Sequence, residues 1–440
     1  MASDLELSAS YIALMERNQR PLTAEILLKL ARTYRLDLSE LAGADTEETL
    51  QSLQKVLKDP LFTDLELPAL EITDMASNYP IMAEALLRLH RAWREEQLLL
   101  ADHNANRLEG TEATNDPALE TRRFLCAHSN YFHNLDLACE ALSRKINQSG
   151  GLISYLKQSH GLKVRYIPHH IMMNMLRRFD QHRDEILIVD TLDQPSRQFQ
   201  LAVQTAYIEL RPEIEKALKE KSFSSDDAYN LTIKALANYS AAAILMPYTQ
   251  FVQSVGARRY DIESLSREYG TSFEQTAHRL TTLQKPGSEM TPFFFVRVDE
   301  AGNVSKRLDS AGFSFAMHGG GCPIWDLHRA FQSEGKILTQ WIELPDGQRF
   351  FSIIRTVKAA DGAYDLRPVT RAIALACSAE HATKLIYTDN NRDPGPQKAT
   401  PIGLTCQICH RQDCQSRSKA PIGRSIRPDD RHRGRAPFGF

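Results

Sequence analysis

Near the N-terminus, apolar positions recur three and four residues apart, the spacing that gathers side chains on one face of an α-helix. Tyr11, Ile12 and Met15 follow this rhythm behind Ser8, a residue able to cap a helix. Arg20-Pro21 breaks it, and Thr23 can cap a second helix with Ile26, Leu27, Leu30 and Ala31 on one side. The run Pro80–Asn106 is rich in helix formers and predicts one long helix, either a pairing surface or a solvated strut. Polar, turn-prone residues over Asn104–Pro117 mark a linker. Residues 118–160 then predict further amphipathic helices, with Phe124, Leu125, Phe132, Leu135 and Leu142 facing a core.

After Gly161 the period changes. Leu162–Ile167 and Glu185–Asp190 read as strands, followed by helices over Arg197–Leu210 and Leu231–Met246. Thr291–Asp299 and Asn303–Leu308 flank Glu300-Ala-Gly302 as a hairpin, and a helix is expected through Phe331. Lys336–Leu344 and Gln348–Val357 form a second hairpin across Pro345-Asp-Gly347. Ala372–Cys377 is a strand that turns into a short helix. Helices first and a strand-rich part later predict a multidomain α+β protein.

Composition adds exclusions rather than a function. The chain has 440 residues, enough for two to four domains. Its net charge of −2 gives no global attraction to nucleic acid or to membranes, so any such surface must be local. The longest apolar runs, Ala235–Pro247 and Ala372–Cys377, are too short or too interrupted to span a bilayer. Neither end reads as a targeting signal, and a cytoplasmic protein with no membrane partner is expected.

Chemistry concentrates near the C-terminus. Cys406, Cys409 and Cys414 lie within nine residues, in a chain of seven cysteines. That spacing lets one turn of backbone aim several sulfurs at a common point, as zinc or an iron–sulfur cluster requires. Sulfur ligation does not choose between the two, and Cys377 or Cys322 is the fourth sulfur candidate. Disulfides are a poorer reading, since nothing suggests secretion and a long chain builds its core without staples. Cys126 and Cys139 are far apart in sequence and read as core residues. The tail from Pro401 holds eight Lys and Arg against three Asp and no Glu. Bound metal would fix such a polar segment, because coordination supplies folding energy. Upstream, Gly319-Gly320-Gly321 lets backbone approach a ligand and turn N–H groups toward an anion. With Lys306 and Arg307 for phosphates, and Phe315, Cys322 and Trp325 nearby, it reads as the wall of a ligand site.

Three resemblances give these parts a common meaning. Ser8–Leu41, with Asn18-Gln19-Arg20-Pro21 after its first helix, resembles the recognition helix of phage-repressor-type helix-turn-helix domains. That implies base contacts near Ser8, Ser10 and Tyr11, and phosphate contacts by Asn18, Gln19 and Arg20. Such domains carry about two more helices before this point, so the module reads as truncated. The short sheet and helix pair of residues 161–247 resemble IrrE-like zinc peptidases, whose first helix carries His-Glu-x-x-His. Here Val203, Gln204 and Tyr207 stand at those positions: no lone pair, no proton shuttle, and a poor zinc ligand. The fold is expected to persist without peptidase chemistry, leaving a cleft for small molecules.

Taken with Asn303–Arg307, Gly319–Trp325, Pro401–Cys414 and Arg433-Gly434, the chain resembles the short-chain fatty acyl-CoA-responsive transcriptional regulators. The resemblance implies a regulator of propionate, acetate and methylcitrate-cycle genes that is not an enzyme. It also implies an acyl-CoA effector and a 4Fe–4S cluster on Cys377, Cys406, Cys409 and Cys414, with zinc the alternative. Operator DNA and a homodimer follow from the helix-turn-helix reading. Expected boundaries are 1–44 (partial helix-turn-helix), 45–116 (helical linker and dimerisation), 117–285 (IrrE-like, zinc site lost) and 286–440 (effector and cysteine domain). Two competing readings are a soluble sensor acting through protein partners and a divergent metallopeptidase.

Overall fold

A computed structural model describes residues 44–57, 68–90, 116–310, 321–358, 369–389 and 395–421, apart from 174, 220, 346, 410 and 413. Ile12, Thr33, Phe62, Trp93, Arg435 and Ala436 are described singly. The chain divides into two units, Met1–Gln97 and Leu98–Phe440.

In the first unit, α1 (Ala44–Val56) and α2 (Ala69–Asn78) are followed by a helical stretch over residues 80–90. Pro80 has no N–H to continue α2, so the helix ends at Asn78 and restarts, Ala83 donating to the Tyr79 carbonyl at 2.9 Å. Leu53, Ala76 and Ala83 form the small core, with Leu50, Ile72 and Leu86 packed on it. Ile81, Met82 and Leu89 point the other way and are exposed.

The second unit opens with α3 (Pro117–Ala127), α4 (His133–Gln148) and α5 (Leu152–His160). Asp116 caps α3 by accepting the Ala118 N–H at 2.8 Å, and Pro117 fits where no N–H is needed. A three-stranded sheet follows: β1 (Lys163–Ile167), β2 (Arg177–Asp180) and β3 (Glu185–Val189), in order β1-β3-β2 with β1 parallel to β3. Sequence reading missed β2, because Arg177-Arg-Phe-Asp180 shows no apolar alternation. Next come α6 (Gln194–Glu209), α7 (Arg211–Leu218) and the long α8 (Asp226–Leu245). Alanines at 237, 241 and 243 let α8 lie deep in the core among Leu201, Ala202 and Ala206 of α6. Pro247 ends it, and α9 (Tyr248–Ala257), α10 (Ile262–Tyr269) and α11 (Phe273–Leu280) complete the helical part. A capping box of Ser272 and Gln275 starts α11.

After a short hairpin, β4 (Gln284–Lys285) and β5 (Ser288–Glu289), the chain builds a larger sheet. Its strands are β6 (Phe294–Val298), β7 (Val304–Asp309), β8 (Leu338–Glu343), β9 (Arg349–Lys358), β10 (Thr370–Ser378) and β11 (Thr400–Pro401). Their order is β11-β8-β9-β10-β6-β7, antiparallel except for β11 on β8. Strand alternation sorts the side chains. Phe295, Phe351, Ile353, Ile373, Leu375 and Cys377 pack under α9–α11. Phe294, Phe350, Ile354 and Ala372, Ala374, Ala376 meet Trp325, Leu327, Ile402 and Leu404 on the other face. The helix expected through Phe331 is instead a series of turns ending in a 3₁₀ segment, Ala330–Ser333.

One polar group lies buried among the helices. Arg279 of α11 donates to both oxygens of Asp136 of α4, at 2.9 and 3.0 Å, and the two side chains are 0% and 2% exposed. Tyr239 of α8 donates to the same carboxylate. Arg279 also reaches the Met246 carbonyl at 3.1 Å and the Thr282 hydroxyl at 3.0 Å. Burial works against the guanidinium's charge, but Asp136 outweighs it and holds the group charged.

Candidate effector and metal sites

The cysteine loop docks on the end of β8. The Ile402 N–H donates to the Glu343 carbonyl at 2.9 Å, and Arg411 donates to the same carbonyl at 2.9 Å and to Ile402's at 3.3 Å. Arg417, buried, bridges the carbonyls of Cys406 and Arg411 at 3.0 and 2.6 Å. The two arginines therefore tie loop backbone together. On this scaffold Cys409 lies against Gly403: a Cβ at position 403 would fall 2.8 Å from its sulfur. Only glycine allows that approach.

Cys322 joins this group. Its sulfur accepts the Gly403 N–H at 3.4 Å, and its thiol is pushed up by burial, with Cys406 and Cys409 close enough to add to the effect. Cys406 behaves oppositely: burial raises it, but donors outweigh burial and favour the thiolate. These donors are the Ser418 hydroxyl at 3.4 Å and N–H at 3.5 Å, and the Lys419 N–H, with Arg417 adding its charge. Cys414 is half-buried at the end of the loop, its carbonyl accepting the Arg417 N–H at 3.2 Å. Sulfur donors on a glycine-relieved loop fit a thiophilic metal or an iron–sulfur cluster in kind. Among the described residues, however, no three such side chains are gathered closely enough to hold one ion.

Cys377 is not brought to this set. It faces the α9–α11 side of the sheet, fully buried with Leu375 and Phe351, while Cys322, Ile402 and Leu404 cover the opposite side. Its neighbours 376 and 378 face the other way, so register alone separates it from the loop. Burial pushes its thiol up to about 12, the behaviour of a core residue. Cys139 is likewise buried and Cys126 partly so.

The expected ligand wall is dismantled in the same way. Lys306 and Arg307 lie on β7 at one edge of the large sheet, whereas Gly321 and Cys322 adjoin the loop beyond β11 at the other. Burial, opposed by Glu274, pushes the Lys306 ammonium down to about 8. Trp325 is fully buried and donates its ring N–H to Ser352 at 3.1 Å, so it belongs to the core. Phe315 and Gly320 lie outside the described residues, as do Ser8, Ser10, Tyr11, Asn18, Gln19 and Arg20.

A cleft of about 320 Å³ is present where the peptidase resemblance places zinc. Val203 and Tyr207, one turn apart on α6, line it together with Lys234 and Asn238, one turn apart on α8. Burial pushes the Tyr207 phenol up despite Arg177 and Arg211 nearby, so it stays protonated and offers no anionic ligand. Gln204 is buried in the helix core. Arg177 of β2 stands over the Tyr207 ring, 5.6 Å from its centre, and donates to the Gln200 carbonyl at 3.0 Å. Burial lowers its pKa, and no carboxylate of the described residues pairs with it. Met175 and Leu176 form the lip. Sequence reading missed Arg177, Lys234 and Asn238, although the i, i+4 pairing of 234 with 238 on the helix facing Val203 and Tyr207 was legible.

Residues 157–281 match the family described as IrrE N-terminal-like domain, and residues 282–438 match the short-chain fatty acyl coenzyme A regulator C-terminal family. The chain is 35% identical to the propionyl-CoA carboxylase regulator of Cereibacter sphaeroides, over 99% of this chain and 94% of that protein. It is 34% identical to the HTH-type transcriptional regulator RamB of Mycobacterium tuberculosis, over 100% of this chain and 94% of that one. Identity to PrpR, another HTH-type transcriptional regulator of Mycobacterium tuberculosis, is 31%, over 100% and 91%. A solved structure of a Mycobacterium tuberculosis transcriptional regulator superposes with a TM-score of 0.69 at 32% identity, covering 74% of this chain and all of that one. Among the described residues no helix is long and apolar enough to cross a membrane. With both of its matched domains and near-complete coverage of these relatives, the chain belongs to the short-chain fatty acyl coenzyme A regulator family of helix-turn-helix transcription regulators.

Proposed function

We propose that this regulator of short-chain acyl metabolism takes a short acyl-CoA as effector, in the cleft left by the lost zinc site. The carrying observation is a half-buried cation with no acidic partner among the described residues, Arg177, opening on the same cleft as Lys234. A partly desolvated guanidinium gains from an incoming counter-charge, and a diphosphate supplies one. Met175, Leu176 and Val203 offer the apolar contact that a short acyl chain needs. The effector regulates by binding the DNA-competent and incompetent states unequally. Calorimetry with propionyl-CoA should show saturable binding, weakened about ten-fold or more in Arg177→Ala, the loss expected for one hydrogen bond to a charged group. Equal affinity in the variant would place the effector elsewhere. A gel shift on the gene's own upstream region, with and without propionyl-CoA, tests the DNA side and separates this reading from a sensor that acts through protein partners. The chain's lack of His-Glu-x-x-His leaves the cleft no zinc-activated water, which favours binding over peptide cleavage.

The cysteine loop is proposed to hold a 4Fe–4S cluster, with zinc as the alternative, on Cys406, Cys409, Cys414 and Cys322. Proximity of Cys322 to Cys406 and Cys409 supports this set over one with Cys377. Bound there, the cluster would cross-link a polar tail to the sheet and add an iron-dependent state to the regulator. We also infer a homodimer. Ile81, Met82 and Leu89, 84%, 62% and 67% exposed on one helical stretch, favour a pairing face over a strut. Light scattering at micromolar concentration should return twice the chain mass, and Ile81→Glu should halve it.

A further inference from the structure

A second cleft on the larger unit is used by neither reading above. It measures about 440 Å³, and its floor is Thr339, Gln340 and Trp341 of β8. One wall is the turn from Pro323 to Arg329; the other is formed by Lys398 and Thr400 before the cysteines and Ser416 after them. Gln340 fixes the first wall. Its side-chain oxygen accepts the Asp326 N–H at 2.8 Å, and its amide donates to the Ile324 carbonyl at 3.2 Å.

Arg329 and Lys398 line the cleft together with Thr339, Thr400 and Ser416, whose hydroxyl groups are able to donate. Asp326 is the acid among the lining residues, 3.1 Å from Arg329. Two cations against one carboxylate leave a net positive lining. We propose that this cleft binds a small oxyanion-bearing molecule, a phosphate ester or a polycarboxylate, through Arg329, Lys398 and the flanking hydroxyls. Its occupant would touch both β8 and the cysteine loop. Ser416 lies two residues from Cys414 and two from Ser418, which donates to the Cys406 sulfur. The site shares no residue with the cleft at Arg177, so it stands or falls independently of the acyl-CoA reading.

The test uses the full chain, with pyrophosphate and citrate as probes at constant ionic strength, read by calorimetry and by tryptophan fluorescence. Saturable binding of at least one probe is expected. Pyrophosphate alone would identify a phosphate site, and citrate alone a carboxylate site. Arg329→Ala and Lys398→Ala should each weaken binding about ten-fold, while Lys157→Ala, an exposed lysine on α5, should not. Asp326→Asn should tighten it about two- to five-fold, because it removes the competing carboxylate at a partly exposed pair. Loss of folding cannot produce that gain. No saturable binding of either probe, or equal affinity in the wild type, Arg329→Ala and Lys398→Ala, would overturn the proposal.

Discussion

Arg279→Ala should destabilise the larger unit by about 3–5 kcal/mol, the cost of leaving one member of a buried ion pair uncompensated. Asp136, 2% exposed, would keep the Tyr239 hydroxyl alone of its side-chain partners among the described residues. The guanidinium also satisfies the Met246 carbonyl where α8 ends, so that acceptor would be orphaned as well. Asp136→Ala should cost a similar amount by stranding the cation. Replacing both, with Asp136→Leu and Arg279→Met, removes the charges together and should recover most of the loss. Urea unfolding followed by far-ultraviolet circular dichroism reads all four proteins. A single variant as stable as wild type would mean that water reaches the pair.

The second large effect concerns colour. Protein prepared without oxygen should be brown, with broad thiolate-to-iron absorption, and Cys409→Ser should bleach it and expose the tail from Pro401 to limited proteolysis. Cys322→Ser should bleach it too, while Cys377→Ser should leave it brown, because the Cys377 thiol lies beneath the sheet among Leu375 and Phe351. The reverse pattern would restore Cys377 as a ligand. Colourless wild-type protein with stoichiometric zinc would keep the site and change its metal. Gly403→Ala is expected to act like a ligand loss without removing a sulfur. Its methyl group would overlap the Cys409 sulfur and Cβ, at 2.8 and 2.9 Å, and overpacking of that kind costs about 1–3 kcal/mol.

Local pattern carried much of this molecule. Glu300-Ala-Gly302 and Pro345-Asp-Gly347 announced their hairpins, because left-handed φ at Gly302 and Gly347 is what those turns require. Cys406, Cys409 and Cys414 announced a loop of their own, and Val203 and Tyr207 a turn of α6 that lines a cleft. What sequence could not supply was the side of the sheet. Cys377 was favoured through family resemblance, yet one residue of register puts it on the face away from the loop. Cys322 lies 81 positions before Gly403, and only the course of the chain over the sheet brings the two together. Lys306 and Arg307 precede the glycines in sequence but occupy the far edge strand. Arg177 was hidden for another reason: it is a charged residue in a strand without alternation, and its importance comes from its place in the cleft wall.

Helix α8 carries neighbours with different duties. Asn238 lines the cleft, and Tyr239, the next residue and about 100° around the helix, holds the Asp136–Arg279 pair. The helix has no slack between them, since alanines at 237, 241 and 243 press it into a close-packed core. A ligand that pushes α8 aside would therefore strain a buried charge pair on the adjoining flank. That pair is anchored in α11, the last helix before the strands, so a shift of α8 at the cleft would be passed to the helix that leads into the sheet.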